Sequence, residues 1–507
     1  MAKIDWKKYE DFVIRIECAS GDRFRVDAQA PTGEAKTIFD MPFDAKDRKI
    51  FLLEVGHPRT ITTRGRVPER MLQTVAYGAQ LFSAVISGDV RDLFASARHD
   101  AAQRQCGLRL QLHLSEAPEL ADLSWEFLYD GHDFLALSDE TPIVRYLDLR
   151  NPPRPMKVIP PLRILVTISA PHDLTPLDVQ AEQTKVQEAL APLQADNLIE
   201  LDFTSSATLH TLQRTLRQAK SAGRPYHVWH YIGHGAFEET RSASILAFCD
   251  ADNRAYPVDG FQLGTLFNGY PQMRLVLLNA CEGARPDPQD PFAGVAAALV
   301  ERGIPAVIGM QFEVSDEAAR TLAESFYEAL VDGLPVDAAL TEARRAVFFM
   351  PNWTEWATPV LFMRSPDGQI FDVSPAAQPM QPGDNVVPPR KGERQAQLAS
   401  LYTEALSAFF TEKWAKAVKV LSEIVSQQPD YRDAASKLEE AKRQQKLANY
   451  YAIGSQACAS EDWAKAVEFL QTVCELDAGY LDAATQLAEA NREVNYHRLK
   501  AGGLESD

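Results

Sequence analysis

Apolar and polar positions change rhythm three times along the chain. Up to about residue 155 they read as half-buried strands with helix between them. Phe12–Glu17 alternates apolar and polar residues, and so does Leu108–Leu114 (LRLQLHL), the period-2 pattern of a strand with one buried face. Met71 to about Ala97 instead spaces its apolar residues three and four apart, with a break at Gly88. The Pro-rich run Asn151–Pro161 (NPPRPMKVIPP) is a connection in which helix cannot continue.

From about 162 to 372 the strands become near-continuous apolar runs: 162–168, 198–203, 227–232, 274–280 and 306–311. Strands buried on both faces of a parallel sheet read this way. Amphipathic stretches at 178–191, 208–222, 292–302 and 316–332 lie between them, so the order is strand, helix, strand, helix. The expectation is an α/β fold, a mostly parallel sheet with helices on both faces. Sites in such sheets lie at the carboxyl ends of the strands.

A second Pro-rich stretch, 374–394, carries Pro375, Pro379, Pro382, Pro388 and Pro389 without apolar periodicity, and reads as an extended, protease-accessible linker. Beyond it the composition turns to Ala, Gln, Glu and Lys and an internal repeat appears. Trp414 and Tyr431 recur as Trp463 and Tyr480, 49 residues on, in units whose helices are broken at Pro429 and Gly479. This is a helical-hairpin repeat resembling tetratricopeptide repeats, though longer. Two units are few to stand alone, which favours a partner-docking role over a stabilising cap. The expected organisation is a scaffold half at 1–155, an α/β domain at 156–373, the linker at 374–394 and helical repeats at 395–507.

Composition narrows the class. Lys plus Arg is 52 against 70 Asp plus Glu, a net charge of −18, which argues against a protein that coats nucleic acid or a polybasic membrane binder. The hydrophobic share of 46% excludes disorder as the dominant state. Six scattered cysteines, none in a CxxC pair, fit neither a disulfide scaffold nor a zinc ribbon. The N-terminus has no apolar leader and no run reaches spanning length, so a soluble protein of a reducing compartment is expected.

Two strand ends stand out. One apolar strand runs into Gly233-His234-Gly235, and another into Asn279-Ala280-Cys281-Glu282-Gly283. Parallel strands would bring both tips to one edge. A thiol attacks as thiolate, and an adjacent imidazole is the usual means of forming it at neutral pH. Glycines beside the histidine let a substrate backbone approach, and the N–H groups of Gly235 and Cys281 suit an oxyanion. His227 and His230 differ by an odd number on a strand and so face opposite sides; they cannot converge with His234 on a metal without a bend. No P-loop, GxSxG, HExxH or GxGxxG sequence occurs. No metal and no cofactor is expected.

The His-Gly and Ala-Cys-Glu-Gly strand ends, forty-seven residues from His to Cys, resemble the caspase-type cysteine peptidases. The closer resemblance is to their CHAT branch, caspase-like domains often fused to tetratricopeptide repeats and related to separase. It extends over 114–131, 134–147, 161–171, 292–330 and 355–362. The resemblance implies Cys281 as nucleophile and His234 as general base and acid, with Gly235 and Cys281 as oxyanion donors. It makes residues 1–155 a scaffold half that packs on the peptidase sheet. Asn279 stands where the caspase signature has Gln, which puts aspartate-specific cleavage in doubt. The segment 311–318 resembles the separase stretch that supplies an acidic specificity residue, so Glu313 or Asp316 could receive Arg or Lys. Ser315 or Asp316 is equally a good N-cap for the helix that follows. The resemblance further implies a bacterial, cytoplasmic enzyme of stress or anti-phage defence. Its substrate would be a pore-forming protein or second effector, and a partner or ligand would activate it. The alternative is a non-catalytic scaffold or ligand sensor. Arg390, Lys391 and Arg394 in the linker would suit self-cleavage.

Overall fold

The computed structural model describes residues 8–44, 46, 51, 69–147, 152–238, 243–280, 291–312, 314–350, 354–373 and 398–502, the last with breaks at 399–400, 403–404, 407, 410–412, 430, 461 and 478–479. Cys281, Glu313 and the linker at 374–394 lie outside the described residues. The chain divides into two compact units, Met1–Gln378 and Pro379–Asp507.

The first unit opens with strands β1 (Tyr9–Ser20), β2 (Arg23–Ala30) and β3 (Gly33–Asp40), then helices α1 (Glu69–Val85) and α2 (Asp89–Gln103). Gly88, at φ 51°, separates the two helices, where the sequence places the break. Strands β4 (Gly107–Glu116), β5 (Ile143–Tyr146) and β6 (Met156–Val158) follow. Then come β7 (Leu162–Ile168), α3 (Val179–Ala195), β8 (Ile199–Phe203), α4 (Leu209–Ser221), β9 (Val228–Gly233), β10 (Gly235–Glu238), β11 (Ala243–Cys249) and β12 (Ala255–Asp259). Next are α5 (Gly260–Phe267), β13 (Leu275–Ala280), α6 (Pro291–Glu301), β14 (Ala306–Met310), α7 (Asp316–Val331), α8 (Val336–Phe348), β15 (Pro359–Met363) and β16 (Phe371–Val373).

Among the described residues, one sheet of eleven strands runs in the order β3-β2-β1-β4-β5-β15-β14-β13-β9-β7-β8. Neighbours are parallel except at β1–β2, β2–β3 and β14–β15. The strands from residues 1–155 thus continue the sheet of the α/β part. The reversal at β14–β15 turns the carboxyl ends of β14, β13, β9, β7 and β8 to one edge and those of β1, β4, β5 and β15 to the other.

Successive strand residues point to opposite faces, and both faces are filled. Val228 and Ile232 of β9, Leu275 and Leu277 of β13 and Ile308 of β14 join one core with Leu190 of α3 and Phe326 of α7. Trp229, Tyr231, Val276, Leu278 and Val307 join the other with Leu212 of α4, Leu263 of α5 and Val295 of α6. Buried charge ties α8 to the outer strands. Arg109 on β4, 2% exposed, donates to Asp337 at 2.5 Å, to Asp11 at 3.2 Å and to the carbonyls of Pro366 and Asp367.

The second unit holds α9 (Trp414–Gln427), α10 (Ala434–Ala459), α11 (Trp463–Leu476) and α12 (Ala483–Gly502). The sequence repeat returns as repeated contacts. Tyr402 stacks edge-on against Tyr431 at 5.6 Å and hydrogen-bonds Asp433; Tyr451 does the same with Tyr480 at 5.7 Å and with Asp482. Cys458 and Cys474 pack against the core of this unit. No helix among the described residues is long and apolar enough to cross a membrane.

Candidate active site

Four adjacent parallel strands, β14, β13, β9 and β7, deliver their carboxyl ends to one edge, and each end carries a residue of interest. Strands β13 and β9 pair in register, with Asn279 opposite Ile232 and Ala280 opposite Gly233. Those partners immediately precede Cys281 and His234 in the chain. Gly233 is tightly enclosed: a Cβ there would lie 2.7 Å from the Tyr231 hydroxyl and 2.9 Å from the Ser169 carbonyl, so either neighbour would have to shift.

His234 is 7% exposed. Its Nε2 lies 2.9 Å from the carbonyl oxygen of Thr175, in the segment after β7. A carbonyl only accepts, so Nε2 carries the proton of this bond and Nδ1 is the ring nitrogen turned away from Thr175. Thr175 lies in a segment held elsewhere. His172 donates its N–H to the Asn253 carbonyl at 3.0 Å, its ring Nδ1 lies 2.6 Å from the same oxygen, and Asp173 accepts from Ala255 N–H at 2.8 Å. Below the histidine, the Tyr231 hydroxyl donates to the His234 and Ala247 carbonyls at 3.1 and 2.8 Å, and Ser169 Oγ donates to Ala247. Backbone position, ring tautomer and ring orientation are therefore all fixed by neighbours.

Gly235 begins β10 and pairs with Leu246 of β11. Ala247 N–H donates to the His234 carbonyl at 3.0 Å, which makes residues 234 and 247 the hydrogen-bonded pair. Antiparallel ladders alternate, so the next pair is of the other kind and the Gly235 N–H points away from β11. Asn279, on β13, has its Oδ1 buried without a hydrogen-bond partner among the described residues.

Residues 314–316 follow β14. Ser315 is the N-cap of α7, its Oγ accepting from Ala318 N–H at 3.4 Å. Asp316 opens the helix, 68% exposed, with Lys185 of α3 at 2.6 Å. Of the two histidines just upstream of His234, His227 accepts the Arg163 N–H through Nδ1 at 3.0 Å. His230 is fully enclosed, and no cluster of metal-ligating residues occurs among the described residues. Cys249 is buried beside Ser169 Oγ at 3.7 Å.

His234 lies between β9 and β10, Asn279 on β13, and Asp316 at the first residue of α7. Thr175 carries no side-chain signal, since it acts through its backbone carbonyl. Glu126 and Glu355, buried at 1% and 3% exposure, read as ordinary charges in the sequence although both touch the segment after β14.

Comparison with curated proteins finds no match. Among solved structures the chain is similar to the Saccharomyces cerevisiae separase–securin complex, with a TM-score of 0.39 and 12% identity over 70% of this chain. The likeness spans 30% of that chain's length. The sequence profile of the CHAT domain matches residues 75–382, more than half of the protein and all the strand ends described above. The chain belongs to the CHAT domain family.

Proposed function

We propose that the protein is a cysteine endopeptidase with Cys281 as nucleophile and His234 as general base and acid. One observation carries the reading: β13 and β9 are adjacent, parallel and paired up to Ala280 and Gly233, so the chain leaves both strands at one edge. The ring of His234, held at Nε2 by Thr175, supports it by offering Nδ1 for a thiol proton.

In this reading His234 takes the thiol proton and the sulfur bonds to the scissile carbonyl carbon. The oxyanion is met by the N–H groups of Gly235 and Cys281. Collapse breaks the carbon–nitrogen bond, and His234 returns the proton to the departing amine. A water deprotonated by His234 then cleaves the thioester, releasing the acid and restoring the thiol. Asn279, Glu313 and Asp316 would meet the side chain before the cut. Asp316 is paired with Lys185 at 2.6 Å, which an incoming Arg or Lys would displace.

The reading extends to a cytoplasmic enzyme of bacterial stress or anti-phage defence. It would cleave a pore-forming protein or second effector once a partner or ligand engages the helical repeats. The test is turnover of arginyl and aspartyl peptide amides by the full chain with lysate of its own host as activator source. Cleavage of the arginyl amide is expected, and Cys281→Ala and His234→Ala should each lower it by at least about 1,000-fold. Turnover that survives Cys281→Ala contradicts the reading. Binding of partners without turnover under any activation would make the protein a scaffold.

A further inference from the structure

Residues 203–237 contain no Asp or Glu but carry Arg214, Arg217, Lys220 and Arg224, in a chain of net charge −18. Helix α4 lies in this stretch. Thr208 caps it, accepting from Thr211 N–H at 3.1 Å, and Leu212 and Leu216 face the core. That register leaves Gln213, Arg217 and Lys220, four and three apart, in one exposed row. Across from it stand Gln262, Thr265 and Leu266 of α5, also three and four apart, and Gly260–Gln272 holds no charged residue. Between the two rows lies a groove of about 550 Å³, with half-buried Leu209, Leu266 and Tyr270 along it.

Lys220 is held across the groove: its Nζ donates to the Gly269 carbonyl at 2.9 Å and lies 5.5 Å from the centre of the Tyr270 ring. Nearby cations outside the groove are neutralised, Arg163 by Glu200 and Asp202, and Arg224 by Glu200. Arg214, Arg217 and Lys220 make no ion pair among the described residues. Like charges three apart on one helix repel, and the fold leaves these uncompensated. A groove of ligand size, within roughly 300–1,000 Å³, that joins free cations to an apolar floor complements a segment bearing both carboxylates and apolar side chains. A nucleic acid fits it less well. Its phosphates would meet the field of a chain with net charge −18. From Arg214 to Lys220 the cations span only about 9 Å of helix, a short track for a phosphate backbone.

We propose that the groove between α4 and α5 docks an acidic, amphipathic helix of a partner protein. Carboxylates three or four residues apart on that helix meet Arg217 and Lys220, and an apolar side chain between them packs on Leu209 and Leu266. Docking there needs neither Cys281 nor turnover, so it stands apart from the peptidase reading.

The full chain is screened against a displayed library of random peptides of about twelve residues, enough for three helical turns. Enriched peptides are synthesised and their affinity is read by fluorescence anisotropy. Peptides with Asp or Glu three and four apart beside Leu, Ile or Phe should dominate. Arg217→Gln and Lys220→Gln should each weaken their binding about tenfold, and Arg217→Glu should weaken it further. Arg224→Gln, whose cation is already paired with Glu200, should bind as wild type does. Raising NaCl from about 50 to 300 mM should also weaken binding, because exposed charges are screened. Bound peptide should slow hydrogen exchange at 209–221 and 260–270. A thermal melt checks that each variant is folded. No enrichment, enrichment without acidic residues, binding indifferent to both Arg217→Gln and Lys220→Gln, or protection elsewhere overturns the inference. So does an oligo(dT) strand that binds the same groove more tightly than the peptides, which would assign the surface to nucleic acid.

Discussion

His227 and His230 precede the proposed base by a few residues, and the fold keeps both neutral. Burial brings His230 down to about 4; burial, and then the Arg163 guanidinium, bring His227 to about 4. Both folded values lie below the ordinary 6.5 of an unfolded histidine. The unfolded chain therefore binds more protons between about 4 and 6.5, and stability falls as pH drops through that window. Melting temperature should decline steeply from pH 6.5 to 4.5, and His230→Leu should remove about one proton from the slope. At pH 7 the same variant should cost little, because the Nδ1 it removes has no partner among the described residues. A slope unchanged by His230→Leu, measured by melts across the pH range, would contradict the buried, neutral assignment.

Between elements, the tightest approach is made by α1. A Cβ at Gly78 would lie 1.8 Å from the Phe127 carbonyl oxygen, and Tyr129 N–H donates to the Gly78 carbonyl at 3.3 Å. Gly78→Ala must push the helix off the 125–127 turn, at a cost of about 3 kcal/mol or more in chemical denaturation, the upper range for overpacking. A cost under 1 kcal/mol would mean that helix and turn are not held together. That turn also carries Glu126, so the variant should loosen residues 311–315 as well. These contacts separate what the sequence reveals from what it hides. Strands β7, β9, β13 and β14 are legible to within a residue, because burial on both faces leaves continuous apolar runs; β8, at the sheet edge, is found within a residue although only Ile199 is buried. Strands β2 and β3 are not: near the sheet edge they carry Arg23, Arg25, Lys36 and Asp40, and only alternate positions are enclosed. The four-residue β10 is too short to show a period. The reversal at β14–β15 joins strands far apart in sequence, and no local pattern encodes it. In the site, Gly-His-Gly and the Asn-Ala-Cys strand end stand out by residue type, whereas the Thr175 carbonyl and the Glu126 and Glu355 carboxylates matter only by where the fold puts them.

Across the whole molecule, one sheet carries strands from the first forty residues to β15, so residues 1–155 are structurally continuous with the α/β part. The boundary between compact units falls instead at Gln378 and Pro379. A chain ending at Gln378 should melt as cooperatively as the full protein, and one beginning at Met156 should not fold, since it lacks five of the eleven strands. Equal stability of the two fragments would refute this. If the helical repeats are docking elements, the shorter chain keeps peptide turnover and loses its protein substrate. The proposed peptidase activity requires Cys281 and His234 to form a working dyad. Its most direct test is labelling of the full chain, activated by host lysate, with an arginyl chloromethyl ketone beside an aspartyl one, followed by peptide mapping of the adduct. One arginyl adduct on Cys281 is expected, absent in Cys281→Ala and strongly slowed in His234→Ala. An adduct on another cysteine, or equal labelling of wild type and His234→Ala, would contradict it.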